Sequence, residues 1–459
     1  MRCARANLAL LSILLLAASG TLVTVAQAQA AAPAETDVRS RFVRLGNGVP
    51  GVLYEPENAG SKSGIAVFVM HAEGDYLQFS ACTELAMRGY RVLCANNSSS
   101  KSGANNDLDI DRALLEAKLG VAYLRALPGI RKIVLLGHSG GGALMSAYQN
   151  IAENGLKACQ GPEKVLKCPD SLAGLPPADG LILLDSNFGM STMSLLSLDP
   201  AIVDESSGQT VDPGLDLFNP ANGFNPNGSA FGQDFIRRFQ EGAGKRENRL
   251  ITTALERLAR IYAGKGRFSD DEPFVVPGGS YLGFNNKLFA QDTRLLAHTR
   301  KAWPLLHGDG GITVGIVQSV RVPENTKTTT RSLEAGALKT TVRKFLSTFA
   351  IRTDEKFGYD EDSIRGVDWR SSYTAPPGNV QGISVPLLTI GMTGHWEFLA
   401  AEQIHEKAGS ADKTIAFVEG ATHVFTPCTR CERAPGEFGD TLKTTYDYVD
   451  AWLDKPGRF

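Results

Sequence analysis

The chain has 459 residues, a formal net charge of −2, 43% hydrophobic residues and 21% charged residues. That length allows one large core with insertions or several domains. The near-neutral charge gives no electrostatic case for nucleic acid or an anionic membrane surface as partner, and the composition is that of a globular chain rather than a disordered one.

Arg2 and Arg5 precede an apolar stretch at 8–18, followed by Ala26-Gln27-Ala28 and Ala28-Gln29-Ala30 as candidate cleavage sites. Residues 1–28 therefore read as a secretory signal peptide, and the mature protein as exported, periplasmic or secreted. The apolar run is short for a membrane span, and no other run approaches about 18 apolar residues, so no transmembrane anchor is expected after cleavage. Cysteine usage agrees. Beyond Cys3 the chain carries Cys82, Cys94, Cys159, Cys168, Cys428 and Cys431. An even number in an exported chain points to disulfides. Sequence proximity favours Cys159–Cys168 and Cys428–Cys431, which leaves Cys82–Cys94. No second ligand pair accompanies Cys428 and Cys431 at zinc spacing, and no metal is expected.

Segments 41–45 and 51–55 read as a leading antiparallel hairpin. The continuous apolar run 65–70 reads as a buried strand, 79–88 as a helix and 90–95 as the next strand. Helical spacing spans 107–127, with Pro128 beyond its end. The run 133–136 leads into Gly137-His138-Ser139-Gly140-Gly141, and apolar residues after it recur at helical spacing. A buried strand, a tight turn with serine at its apex and a helix make a nucleophile elbow, the geometry that lifts a serine hydroxyl above a sheet. Segment 180–184 is another buried strand, ending at Asp185. The β-α-β-α-β succession predicts an α/β fold with a mostly parallel central sheet flanked by helices.

Between 187 and 381 the next strand of that sheet is not legible. The segment holds Pro- and Asn-rich loops, a helix pair at 233–241 and 247–263, partial strand alternation at 312–322, and 340–349 as either helix or strand. A structureless loop of that length is improbable in a compact domain, so 187–381 is expected to form an inserted cap that governs substrate choice. Its aromatics (Phe218, Phe224, Phe231, Tyr281, Phe284, Trp303) line a pocket or form the cap's own core. Core elements resume with a strand at 385–391, a helix at 397–408, a strand at 414–418 and a closing helix at 441–453. The core is thus 29–186 together with 382–459.

A serine nucleophile needs a base, an orienting acid and oxyanion donors. Of the seven histidines, His423 alone follows the last strand of the sheet, so it is the expected base. The expected oxyanion donors are the backbone N–H of Gly140 and that of Glu73, with the Glu73 carboxylate turned away. His71, His138 and Trp396 are expected around the substrate pocket. The acid is ambiguous. The loop 391–398 contains no aspartate, so Asp185 is favoured and Glu397 is the alternative.

These residues resemble the α/β-hydrolase superfamily over 41–186 and 382–459. Asp185 at the end of its strand, with no aspartate in the later loop, is similar to the platelet-activating-factor acetylhydrolase layout. Gly420-Ala421-Thr422-His423 after the last strand fits the same comparison. The long insertion has no counterpart there. The resemblance implies hydrolysis of a small-molecule or polymeric ester without a metal or organic cofactor. An amidase or peptidase on the same triad, and a non-catalytic binding protein on this scaffold, are the alternatives.

Overall fold

In the computed structural model of the chain, the described residues are 37–99, 101, 108–281, 287–323 and 336–459. The expected signal peptide and Phe284 lie outside them. Fourteen strands occur among these residues. They are β1 (Val38–Arg44), β2 (Pro50–Pro56), β3 (Ile65–His71), β4 (Arg91–Asn96), β5 (Lys132–His138), β6 (Gly180–Leu184), β7 (Pro273–Val276), β8 (His298–Leu306), β9 (Ile312–Gln318), β10 (Leu338–Thr341), β11 (Thr353–Tyr359), β12 (Ile364–Val367), β13 (Leu387–Met392) and β14 (Lys413–Val418). The principal helices are α1 (Ser80–Met87), α2 (Ile110–Ala126), α3 (Gly140–Asn154), α4 (Met190–Leu196), α5 (Gln233–Tyr262), α6 (Phe398–Lys407) and α7 (Thr441–Leu453).

Ten strands form one sheet in the order β1-β2-β4-β3-β5-β6-β13-β14-β8-β9. From β4 to β8 every neighbour pair is parallel; β1, β2 and β9 run antiparallel at the two ends. The inner strands are apolar on both faces because helices cover both, which is why they read as unbroken apolar runs. Two buried clusters follow. One packs α2, α3 and the insertion on one face around Phe68, Leu135, Leu144 and Phe417. The other packs α1 and α7 on the opposite face around Val69, Leu136, Tyr446 and Trp452.

The insertion departs from expectation in two places. First, β8 and β9 come from 187–381 yet extend the central sheet: Phe417 and Val418 of β14 pair with Leu305 and Leu306. The segment is therefore not all cap. Its edge strand carries exposed Ile312, Val314 and Ile316, an inverted pattern that hides its membership of the sheet. Second, the expected helix pair is the single 30-residue α5. Gly242 and Gly244 do not break it. A Cβ on Gly242 would lie 2.9 Å from Pro200, and one on Gly244 would lie 2.9 Å from Phe357. The glycines serve close packing, at a modest helix cost of about 1 kcal/mol each. Segment 340–349 divides into strand to Thr341 and helical turns from Val342 to Phe349.

Most cap aromatics build the cap itself. Phe218 meets Phe224 edge-on at 5.3 Å, and Phe231 stacks on Phe235 at 5.0 Å. Trp303, on β8, belongs to the central sheet instead, and its indole N–H donates to Glu402 of α6. Disulfides join Cys82–Cys94, Cys159–Cys168 and Cys428–Cys431. Among the described residues no helix is long and apolar enough to cross a membrane.

The crossing of β5 and α3 leaves no room for a side chain. A Cβ on Gly137 would stand 2.5 Å from the Gly141 carbonyl oxygen, and one on Gly141 would stand 2.9 Å from that of Met70. These are backbone atoms and cannot swing aside. Gly137→Ala is expected to destabilise by about 1–3 kcal/mol, read as a lower Tm in thermal denaturation.

Candidate active site

Ser139 sits between β5 and α3 with φ 52° and ψ −127°. Holding a non-glycine residue there costs on the order of 1–3 kcal/mol, which the surrounding structure must over-determine. It does so through the end of β6. Ser139 N–H donates to the Leu184 carbonyl, and the Ser139 carbonyl accepts from Asn187 and Gly142. Gly140 opens α3, so its N–H has no partner within the helix and adds to the positive helix end. Serine on this elbow, over this strand order, decides the architecture. The fold is that of the α/β-hydrolases.

Asp185 is fully buried at the tip of β6, also with positive φ (39°). Its Oδ2 accepts from His423 Nδ1 at 2.7 Å and from His395 Nδ1 at 2.9 Å, and its Oδ1 accepts from Met392 N–H at 3.1 Å. Burial alone would push this carboxyl up. The His395 and His423 imidazoles beside it outweigh burial and hold it below the usual carboxylate range, so it is ionised. With Nδ1 of His423 engaged, its Nε2 is the nitrogen available for proton transfer.

Glu397 lies farther from the base, with Oε2 3.6 Å from His423 Nδ1. Its buried Oε2 makes no hydrogen bond. Burial, reinforced by the negative Asp185, raises it to about 8 and keeps it protonated at neutral pH. For His423, burial disfavours the imidazolium, but Glu397 in its ionised form and the Asp185 carboxylate outweigh it and raise the ring above its usual value.

His138 is corrected by its surroundings. It does not face the pocket; it lies behind it, almost fully buried. A carbonyl can only accept, so the 2.7 Å contact to the His423 carbonyl requires a proton on His138 Nε2. Burial holds the ring neutral, so Nδ1 is left to accept from the Tyr76 hydroxyl at 2.5 Å. His138 therefore ties the backbone of His423 to the elbow.

The Glu73 expectation also changes. Glu73 N–H is directed at His71 Nδ1, 3.0 Å away, rather than left free. The Glu73 carboxylate is not turned outward: it accepts from the buried Tyr281 hydroxyl and belongs to the pocket wall.

Ser139, His423, His71 and Trp396 face one cavity of about 360 Å³, within the ordinary range for small-molecule sites. Met190, Met193 and Trp396 make its apolar side. Lys287, almost fully buried, donates to the Tyr281 carbonyl and lies 5.5 Å from the Trp396 ring centre. Two contributors, His395 and Lys287, escaped the sequence reading. His395 stands in the loop searched for an aspartate, and only its contact with Asp185, 210 residues away, gives it a role. Lys287 comes from the insertion, where no periodicity placed it; Tyr281, from the same segment, takes the pocket-lining one of its two expected places. Asp185, His395, Glu397 and His423 have ligand atoms within 4.8 Å of one another, the one such group among the described residues. Both imidazole Nδ1 hydrogens are spent on Asp185, an arrangement that orients a base.

No family model matches the sequence, and no curated protein is similar to it. The chain is similar to solved structures at low identity. The siderophore hydrolase EstB from Aspergillus fumigatus is 12% identical, covers 91% of this chain and 98% of its own, and superposes with a TM-score of 0.43. Brefeldin A esterase, a bacterial homologue of human hormone sensitive lipase, is 12% identical with coverage of 92% and 78% and a TM-score of 0.39. A soluble variant of monoglyceride lipase from Saccharomyces cerevisiae is 12% identical with coverage of 92% and 96% and a TM-score of 0.38.

Proposed function

We propose that this chain is an exported serine hydrolase that cleaves carboxylic esters through an acyl-enzyme on Ser139. The observation that carries the reading is a strained serine elbow sharing a cavity with a histidine whose Nδ1 is held by a buried, ionised carboxylate. His423 Nε2 takes the Ser139 proton as Oγ attacks the ester carbonyl carbon. It then gives that proton to the departing alkoxide, leaving the acyl group on Oγ. Water repeats the cycle: it loses a proton to His423, attacks the acyl carbon, and the proton returns to Ser139 as the acid leaves. Asp185 keeps His423 in the required tautomer and stabilises the imidazolium. Gly140 N–H supplies one oxyanion donor. The layout with the acid after β6 is the one similar to platelet-activating-factor acetylhydrolases. Disulfides among the described residues and the N-terminal targeting pattern support export.

A fluorophosphonate probe tests the reading directly. Stoichiometric labelling of Ser139 and hydrolysis of simple acyl esters are expected. A folded protein left unlabelled at Ser139 would falsify it. Matched ester and anilide substrates distinguish an esterase from an amidase.

The base must be neutral to accept a proton, so kcat/KM rises as pH passes upward through the His423 ionisation. Glu397 is protonated over that range, so Glu397→Gln exchanges one neutral group for another, and the acid limb of the pH profile is expected to stay where it is in the wild type.

A further inference from the structure

His71 is built into this site more firmly than a lining residue needs to be. Its ring is stacked on Tyr76, with centroids 4.5 Å apart and planes 12° from parallel. Its Nδ1 receives two backbone amides, Gly74 N–H at 2.5 Å and Glu73 N–H at 3.0 Å. A nitrogen that accepts carries no hydrogen. Burial, with the positive His423 and Lys101 nearby, pulls the ring down to about 3, so it is neutral at any working pH. A neutral imidazole has one hydrogen, and here it must be on Nε2.

That Nε2 faces the elbow. A Cβ built on Gly140 would lie 3.2 Å from His71 Nε2 and 3.4 Å from Cε1. The absence of a side chain at Gly140 lets the imidazole edge come this close. His71 and Ser139 line the same cavity. A fixed, uncharged N–H donor therefore stands beside the first amide of α3, where negative charge develops when Oγ adds to a carbonyl. Meanwhile the Glu73 amide, the backbone donor expected from this loop, is directed at His71 itself.

We infer that His71 is a catalytic residue whose Nε2–H is the second oxyanion donor, replacing a backbone amide from the loop after β3. The inference rests on the serine-hydrolase reading above. The ring turns the N–H groups of Glu73 and Gly74 into a support for a side-chain donor. The oxyanion accepts from Gly140 N–H and from His71 Nε2–H; no proton leaves His71 in either half-reaction.

Two substitutions separate this role from a structural one. Asn carries an acceptor where Nδ1 stands, so His71→Asn can still hold the Glu73 and Gly74 amides but offers no donor at the Nε2 position. Gln carries an N–H₂ at the Nε2 position, so His71→Gln keeps the donor. With p-nitrophenyl butyrate as substrate, His71→Asn is expected to lose on the order of 10²–10³-fold in kcat, with KM changed by less than about threefold; His71→Gln is expected to recover at least about tenfold of that loss. The inhibition constant of a trifluoromethyl ketone, whose hemiketal oxygen occupies the same place, should rise in His71→Asn and recover in His71→Gln. The inference is overturned if His71→Asn keeps wild-type kcat and ketone affinity, or if Asn restores function better than Gln. A wild-type protein that neither hydrolyses the ester nor labels at Ser139 overturns the hydrolase reading instead, and this inference with it.

Discussion

Ser139→Ala is expected to remove about 10⁶-fold in kcat on any ester substrate while leaving the protein folded. The loss is large because the covalent route disappears: His423 and Asp185 then have no nucleophile to activate, and only positioning and oxyanion stabilisation remain. Stability should scarcely move, because alanine must hold the same positive φ as serine and relieves no strain. Ser139→Gly is the informative partner. Glycine accepts φ 52° without steric cost, so it should be equally inactive yet more stable by about 1 kcal/mol. Steady-state kinetics and thermal denaturation of the two variants check both halves. A variant at Ser139 with wild-type turnover would remove the mechanism altogether.

Asp185→Asn is expected to reduce kcat by about 10⁴-fold, with a smaller effect on substrate binding. The carboxylate accepts three N–H groups, from His423, His395 and Met392. An amide has one oxygen, so its N–H₂ must face at least one of those donors. Facing His423, it would favour a hydrogen on Nε2, the wrong tautomer for a base. Facing Met392, it would leave a buried N–H without an acceptor, costing about 1–3 kcal/mol. Asp185→Asn is thus expected to lower both kcat and Tm. Glu397→Gln, by contrast, replaces a protonated acid by a neutral amide and should leave kcat at its pH optimum within about tenfold. A collapse on Glu397→Gln with Asp185→Asn active would transfer the orienting role to Glu397.

The parts of the fold that could be read from sequence are those where backbone geometry restricts residue choice. Gly137 and Gly141 abut backbone atoms at the strand–helix crossing, and that demand marks the elbow. Buried parallel strands betray themselves as apolar runs, so β3, β5, β6, β13 and β14 were legible, and with them the chain positions of Asp185 and His423. Where glycine meets a packing need instead of a turn, as at Gly242 and Gly244, the same signal misleads. Edge strand β9 shows its apolar residues to the outside and so lacks the pattern of a sheet member. His395 and His138 act by hydrogen bonds spanning 210 and 285 residues, and no local pattern records such partnerships. The position of Glu73 in its loop marks its amide as a donor, whereas the ring two residues earlier directs that amide.

The attachment of β8 to β14 has an implication for modularity. The strand that ends five residues before His423 is hydrogen-bonded on both sides, to β13 and to a strand supplied by the insertion. Segment 187–381 therefore cannot be exchanged as a cassette, like the lid of an enzyme whose specificity region merely sits on top. A transplant that removes β8 would expose the edge of β14 and loosen the loop bearing the base. Swaps meant to change substrate choice should instead be confined to the chain on either side of the hairpin, 187–297 and 319–381, leaving the pairing of Leu305 and Leu306 with Phe417 and Val418 intact.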